Sequence, residues 1–168
     1  VRLSTMVLVH KTGSDAPASF GELPDPKWKG EVVIGDPLTS GTAFTFAVAM
    51  ERAHGSDFFD KLRANGVRVA GGNAAVLQKV EGGEAKVGVV LLENVLAAKA
   101  RGSPVEEVWP TDGAVMIPGP VAILAASRNP AAARAFNDVV LSPEGQKVIR
   151  ELGDMHAVDP RQPGPREN

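Results

Sequence analysis

With 168 residues, 43% of them hydrophobic and 23% charged, the chain has enough apolar material for one compact domain with a real core. Eighteen basic against twenty acidic residues give a net charge of −2 with no long run of either sign, which disfavours a nucleic-acid backbone or an anionic membrane surface as partner. Cysteine is absent, which excludes disulfides, zinc-thiolate sites, iron–sulfur clusters and cysteine nucleophiles. His10, His54 and His156 are widely spaced with no HxxxH or HExxH pattern, so neither a metal site nor a cofactor is expected. Gly, Pro or a charge interrupts every apolar stretch before the roughly 18 to 20 residues of a membrane span. The chain opens at Val1 without an initiator Met or signal peptide, which suggests a mature product or a piece of a longer protein.

In chain order, residues 2–10 group branched and long apolar side chains as a strand does, with a polar exit at residues 11–15. Ser19 and residues 20–23 predict one short helical turn stopped by Pro24 and Pro26, and Trp28 is expected to be a packing anchor. Residues 31–34 read as a short strand, residues 38–42 as a small hydroxylated loop, and residues 43–50 as a helix. Ser56 is a candidate cap for a second helix over 57–64, ended by Asn65-Gly66. Residues 67–70 predict a strand, Gly71-Gly72-Asn73 a turn with Asn73 as N-cap, and residues 74–80 a helix. Residues 86–92 have the continuous apolar character of a strand buried on both faces, and Glu93-Asn94 open a helix through Ala100. Short strands are predicted at 105–109, 114–117 and 121–126. Asn129-Pro130 and Ser142-Pro143 start helices over 131–141 and 145–152, by the rule of a cap followed by proline. An extended tail is expected from Asp154 onward.

Three loops therefore leave a strand and enter a helix: residues 39–42, 71–73, and 93–94. In an α/β sheet such loops gather at the carboxyl ends of the strands, where unpaired N–H groups and the helix dipole favour an anion. Thr39, Ser40, Gly41 and Thr42 form the best candidate, with hydroxyl donors at Ser40 and Thr42 and close backbone approach at Gly41; ordinary capping by Ser40 or Thr42 explains the same residues. Gly72 and Asn73 carry the same two readings. Glu93 with Asn94 suits either a cap or an amine on a ligand. Asp36 and Asp112 sit in Pro or Gly turns where Asx-turn bonding is the simpler explanation. His10 and His54 read as surface or rim residues. No GxSxG elbow, Walker A loop or GxGxxG is present, so no catalytic residues are assigned and the chain is read as a non-enzyme.

Three passages together resemble a known family. Leu23-Pro24-Asp25-Pro26-Lys27-Trp28-Lys29-Gly30, then Val32-Val33-Ile34-Gly35-Asp36-Pro37, then Ser40-Gly41-Thr42-Ala43, are similar to the DPKWKG…DP…SGT passage of extracellular solute-binding proteins of bacterial ABC importers. Residues 82–88, 112–114, 117–123, 129–136 and 141–146 continue the likeness, which covers residues 23–152. The resemblance implies a type II periplasmic-binding fold, with this chain as its second α/β lobe: a three-layer α/β/α unit on a mixed central sheet over residues 1–153, a hinge strand entering at 1–10, and residues 154–168 returning toward a first lobe that this chain lacks. It implies a periplasmic or extracellular location, lipid-anchored or soluble, and a membrane permease as partner. The ferric-ion branch of the family relies on tyrosine phenolates, and this chain has no tyrosine. The implied ligand is a small oxyanion or phosphonate-like compound at Thr39, Ser40, Gly41, Thr42, Gly72, Asn73, Glu93 and Asn94. A ligand-sensing effector domain of a regulator and an enzyme on the same fold are the alternatives. Homodimerisation or strand exchange at residues 1–10 is a further expectation.

Overall fold

The computed structural model describes residues 1–159 and 161. It divides the chain into two compact units, one of residues 5–115 and one of residues 1–4 with 116–168. β1 (Arg2–Lys11) runs through both.

In the larger unit, β2 (Val32–Gly35) leads to α1 (Gly41–His54), α2 (Phe58–Ala64) and β3 (Arg68–Ala70); α3 (Asn73–Glu81), β4 (Val87–Leu91), α4 (Leu92–Ala100) and β5 (Val105–Val108) follow. The sheet order is β3-β2-β4-β1-β5. β2 is parallel to β3 (Val33↔Arg68) and to β4 (Val32↔Val87), while β1 is antiparallel to β4 (Val7↔Val90) and to β5 (Leu8↔Val108), so the sheet is mixed. The chain moves from β2 outward to β3, then back across β2 to β4. Right-handed crossovers place α1 and α2 on one face and α3 on the other, which makes three layers.

Strand periodicity supplies both faces of this core. Val7 and Val9 join Val33, Val76, Val80 and Val95 in one buried cluster with α3 and α4, and alternation sends Met6 and Leu8 to the opposite face. There Phe46 meets Phe20 edge-on at 5.1 Å and Phe59 at 6.4 Å. All five residues of β4 are buried, as a strand covered on both faces requires. Gly88 is necessary to that packing, because a Cβ there would lie 2.9 Å from Val76 Cγ1 and 3.0 Å from both Val80 Cγ2 and Val9 Cγ1. Trp28 is 4% exposed, the packing anchor its sequence context suggests.

The smaller unit holds β6 (Val115–Gly119, its first residue shared with the larger unit), α5 (Pro130–Leu141), α6 (Pro143–Gly153) and β7 (His156–Ala157), which pairs with the start of β1 at Arg2↔Ala157. Both helices start as their sequences dictate: Asn129 Oδ1 accepts from Ala132 N–H at 3.3 Å, and Ser142 Oγ from Gly145 N–H at 3.1 Å, each ahead of a proline. The centre is a polar residue. Gln146, fully buried, donates its amide to Val140 O at 2.8 Å and Val1 O at 3.2 Å and accepts from Val158 N–H at 2.8 Å.

Local expectations and structure differ in several places. Residues 121–126 form no strand; the segment follows Pro120, which ends β6, and is mostly exposed. Residues 26–28 make a 3-10 turn, with Pro26 at its start and Asp25 Oδ1 accepting from Lys27 N–H at 2.8 Å, although a stop was expected at Pro26. The cap of α2 is Asp57 rather than Ser56, without a side-chain bond, and that of α3 is Gly72 rather than Asn73. The expected tail contributes β7, and its residues 160 and 162–168 lie outside the described residues.

Candidate functional site

Because β2, β3 and β4 run parallel, their carboxyl ends lie along one edge of the sheet, and α1, α3 and α4 all begin there. At α1, Gly35 permits close docking of the first turn on the strand end, since a Cβ on it would lie 3.0 Å from Ala43 Cβ. Asp36 shapes the loop: Oδ1 accepts from Leu38 N–H at 2.9 Å, the Asx-turn bond its sequence suggests, and Oδ2 accepts from Thr39 Oγ1 at 3.2 Å. Thr39 Oγ1 also lies 3.3 Å from Gly71 O, within reach of the β3–α3 turn.

Ser40 caps α1, with Oγ accepting from Ala43 N–H at 3.4 Å, and it is also bonded to Thr42 Oγ1 at 2.9 Å. Thr42 Oγ1 in turn accepts from Asn73 Nδ2 at 3.2 Å. One polar chain, Asn73–Thr42–Ser40, thus joins the starts of α1 and α3. Asn73 Nδ2 donates to Thr42 Oγ1, and either hydroxyl can donate in the Ser40–Thr42 bond. The N–H groups of Gly41 and Thr42, and of Asn73 and Ala74, occupy the first two helical positions, where no intrahelical acceptor exists. Cβ atoms built on Gly41, Gly71 and Gly72 would meet nothing within 4 Å, so this backbone is open to a ligand.

Glu93 and Asn94 occupy the first turn of α4, which follows β4 without a loop after the extended Leu91. Residues 36–45, 70–76 and 91–96 contain no Lys, Arg or His, so the groups here that attract an anion are backbone dipoles and hydroxyls, and the carboxylates of Asp36 and Glu93 act against them. Such an arrangement can hold an oxyanion by hydrogen bonds; it holds no base–nucleophile pair. No cluster of three metal-ligating side chains occurs among the described residues.

Sequence reasoning misses the placement of Asp112 and of Trp109. The turn context of Asp112 suggests only Asx-turn bonding, yet its carboxylate accepts from Phe20 N–H at 3.1 Å, from Gly21 N–H at 2.9 Å and from His54 Nε2 at 2.9 Å. His54, at the last position of α1, is therefore bonded rather than simply exposed, and it stacks on Phe58 at 5.3 Å. The pair ties the end of α1 to the residues that follow β5. Trp109 follows β5 and is 50% exposed. β5 is antiparallel to β1 and so parallel to β4, which puts Trp109 on the same edge as the three helix starts. A cavity of about 470 Å³ lies elsewhere, in the smaller unit between Val1, Phe136, Val140 and Leu152, and its lining is apolar.

Residues 1–153 match the family model of bacterial extracellular solute-binding proteins. A Haemophilus influenzae protein described as uncharacterized is 34% identical over 144 residues, covering 83% of this chain and 42% of that protein. The periplasmic binding protein AfuA from Actinobacillus pleuropneumoniae, solved with exogenous fructose-6-phosphate bound, aligns with a TM-score of 0.82 and 29% identity over 98% of this chain and 56% of that one. The substrate binding protein of an ABC transporter from Agrobacterium tumefaciens aligns with a TM-score of 0.79 and 22% identity, over 97% and 52%. The chain thus spans about half the length of these relatives, and its architecture is that of a lobe of periplasmic binding proteins.

Proposed function

The chain belongs to the bacterial extracellular solute-binding proteins, and from that premise we propose that it supplies one wall of a closing ligand cleft and holds an oxyanion there for an ABC importer. The observation that carries this reading is the Asn73–Thr42–Ser40 chain, which aligns two helix starts and their unbonded N–H groups on one open edge. Two such termini acting on one anion offset the lack of Lys and Arg in these loops. The phosphate ester in the AfuA structure is a ligand of that chemistry, and AfuA is the relative of highest identity among the solved structures cited. Thr39, Gly72, Glu93 and Asn94 complete the proposed contact set, Glu93 facing hydroxyl or amine groups of the ligand. Closure over the ligand would present the complex to a membrane permease.

Calorimetry tests this on the protein expressed from its whole reading frame. Fructose 6-phosphate or inorganic phosphate is expected to bind, and Thr42→Val, which cuts the chain at its centre, to weaken binding about tenfold or more, the worth of one or two hydrogen bonds to a charged group. Unchanged affinity in Thr42→Val would remove this edge as the anion site.

A further inference from the structure

Resting on the oxyanion reading, we propose that Trp109 is a specificity-determining residue, an apolar platform for the uncharged organic part of the ligand. In the larger unit Trp28 is 4% exposed, whereas Trp109 leaves half its surface in water at the end of an edge strand. An indole left in that state at a ligand-facing edge has a flat apolar face to offer and one N–H donor.

Its position is fixed on both sides. β5 is held by β1 through Leu8↔Val108, the residue just before it. After it, Pro110 is buried, Thr111 N–H donates to Ala18 O at 2.9 Å, and Asp112 is held by three hydrogen bonds. With the backbone held on both sides, only the indole's own rotamers remain to be ordered on binding. The strand order sets its reach. β5 is three places from β2, where α1 begins, and at about 4.8 Å per strand the two lie about 14 Å apart along the edge. A bare tetrahedral anion at the start of α1 cannot touch an indole that far away. An organic phosphate with a ring or chain body can extend along the edge past α4 toward it. The protein therefore selects such compounds over inorganic phosphate by contact with Trp109, while the Ser40–Thr42 loop holds the charged end of either.

The test uses the whole-reading-frame protein, fructose 6-phosphate and inorganic phosphate. Trp109→Ala is expected to weaken fructose 6-phosphate about tenfold, as the loss of a stacking contact with its buried area requires, and to leave inorganic phosphate unchanged. Trp109→Phe should restore most of the affinity, and the fluorescence change on adding the sugar phosphate should vanish in both variants. Equal affinity of Trp109→Ala and the parent for fructose 6-phosphate would overturn the platform while leaving the oxyanion site standing. Equal weakening of both ligands would also overturn it, by showing that Trp109 supports the loop rather than the organic group. If neither compound binds the parent protein, the oxyanion reading fails and this inference falls with it.

Discussion

Among the described residues, every buried hydrophobic side chain belongs to residues 5–115, and those of the unit of residues 1–4 and 116–168 bury only Ser4 and Gln146. The first is a sheet with apolar layers on both faces. The second is two helices with strand ends around a hydrogen-bonded glutamine; α5 buries no residue, and Phe136, Val139, Leu141, Val148 and Leu152 are exposed. The difference teaches that helix signals and burial are separate matters. α5 and α6 have caps and prolines as good as any in the chain, yet the only residue they bury is Gln146.

The strongest way to break this contrast is truncation in each unit. Phe46→Ala removes an aromatic side chain that is 2% exposed and in contact with Phe20 and Phe59, so chemical denaturation should show a loss of about 3–5 kcal/mol. Leu152→Ala, at a residue 81% exposed, should fall within about 0.5 kcal/mol. Comparable losses at both sites would erase the distinction. Next in size, Asp112→Ala leaves two backbone N–H groups and His54 without their acceptor, and a loss of about 2 kcal/mol is expected from the same measurement. Hydrogen exchange should then quicken at Phe20 and Gly21, both in the larger unit.

The smallest effect is electrostatic. Lys61, hydrogen-bonded and 2.7 Å away, holds the exposed Asp57 carboxyl below its ordinary pKa. A depressed folded-state pKa gives stability that is present above the unfolded-state pKa and lost as pH falls through the folded-state value. Asp57→Asn should therefore lower the melting temperature slightly at neutral pH and not at all in strong acid or in 1 M salt, where the pair is screened.

Much of the larger unit is legible in sequence because its signals are local. The unbroken apolar run of β4, the clustered branched and long apolar residues of β1 and the hydroxylated loop before α1 each name their element directly. Positions set by contacts across the chain are not legible. Asp112 meets Phe20 and Gly21 some ninety residues earlier, and a turn context alone reads only as an Asx turn. Asn73 looks like a cap because its neighbours are glycines; in the fold Gly72 takes that place and frees the Asn73 amide to reach Thr42. Trp109 falls inside the strand predicted at 105–109, and its placement on the same sheet edge as the starts of α1, α3 and α4 depends on two strand pairings that no local pattern encodes.

The most direct test of the account is an amide NMR titration of the whole-reading-frame protein with fructose 6-phosphate. The account predicts that the largest shifts fall on the N–H groups of Gly41, Thr42, Asn73 and Ala74, with Trp109 Nε1 following at the same saturation. Shifts confined to residues 116–159, or absent from both helix starts, would contradict it.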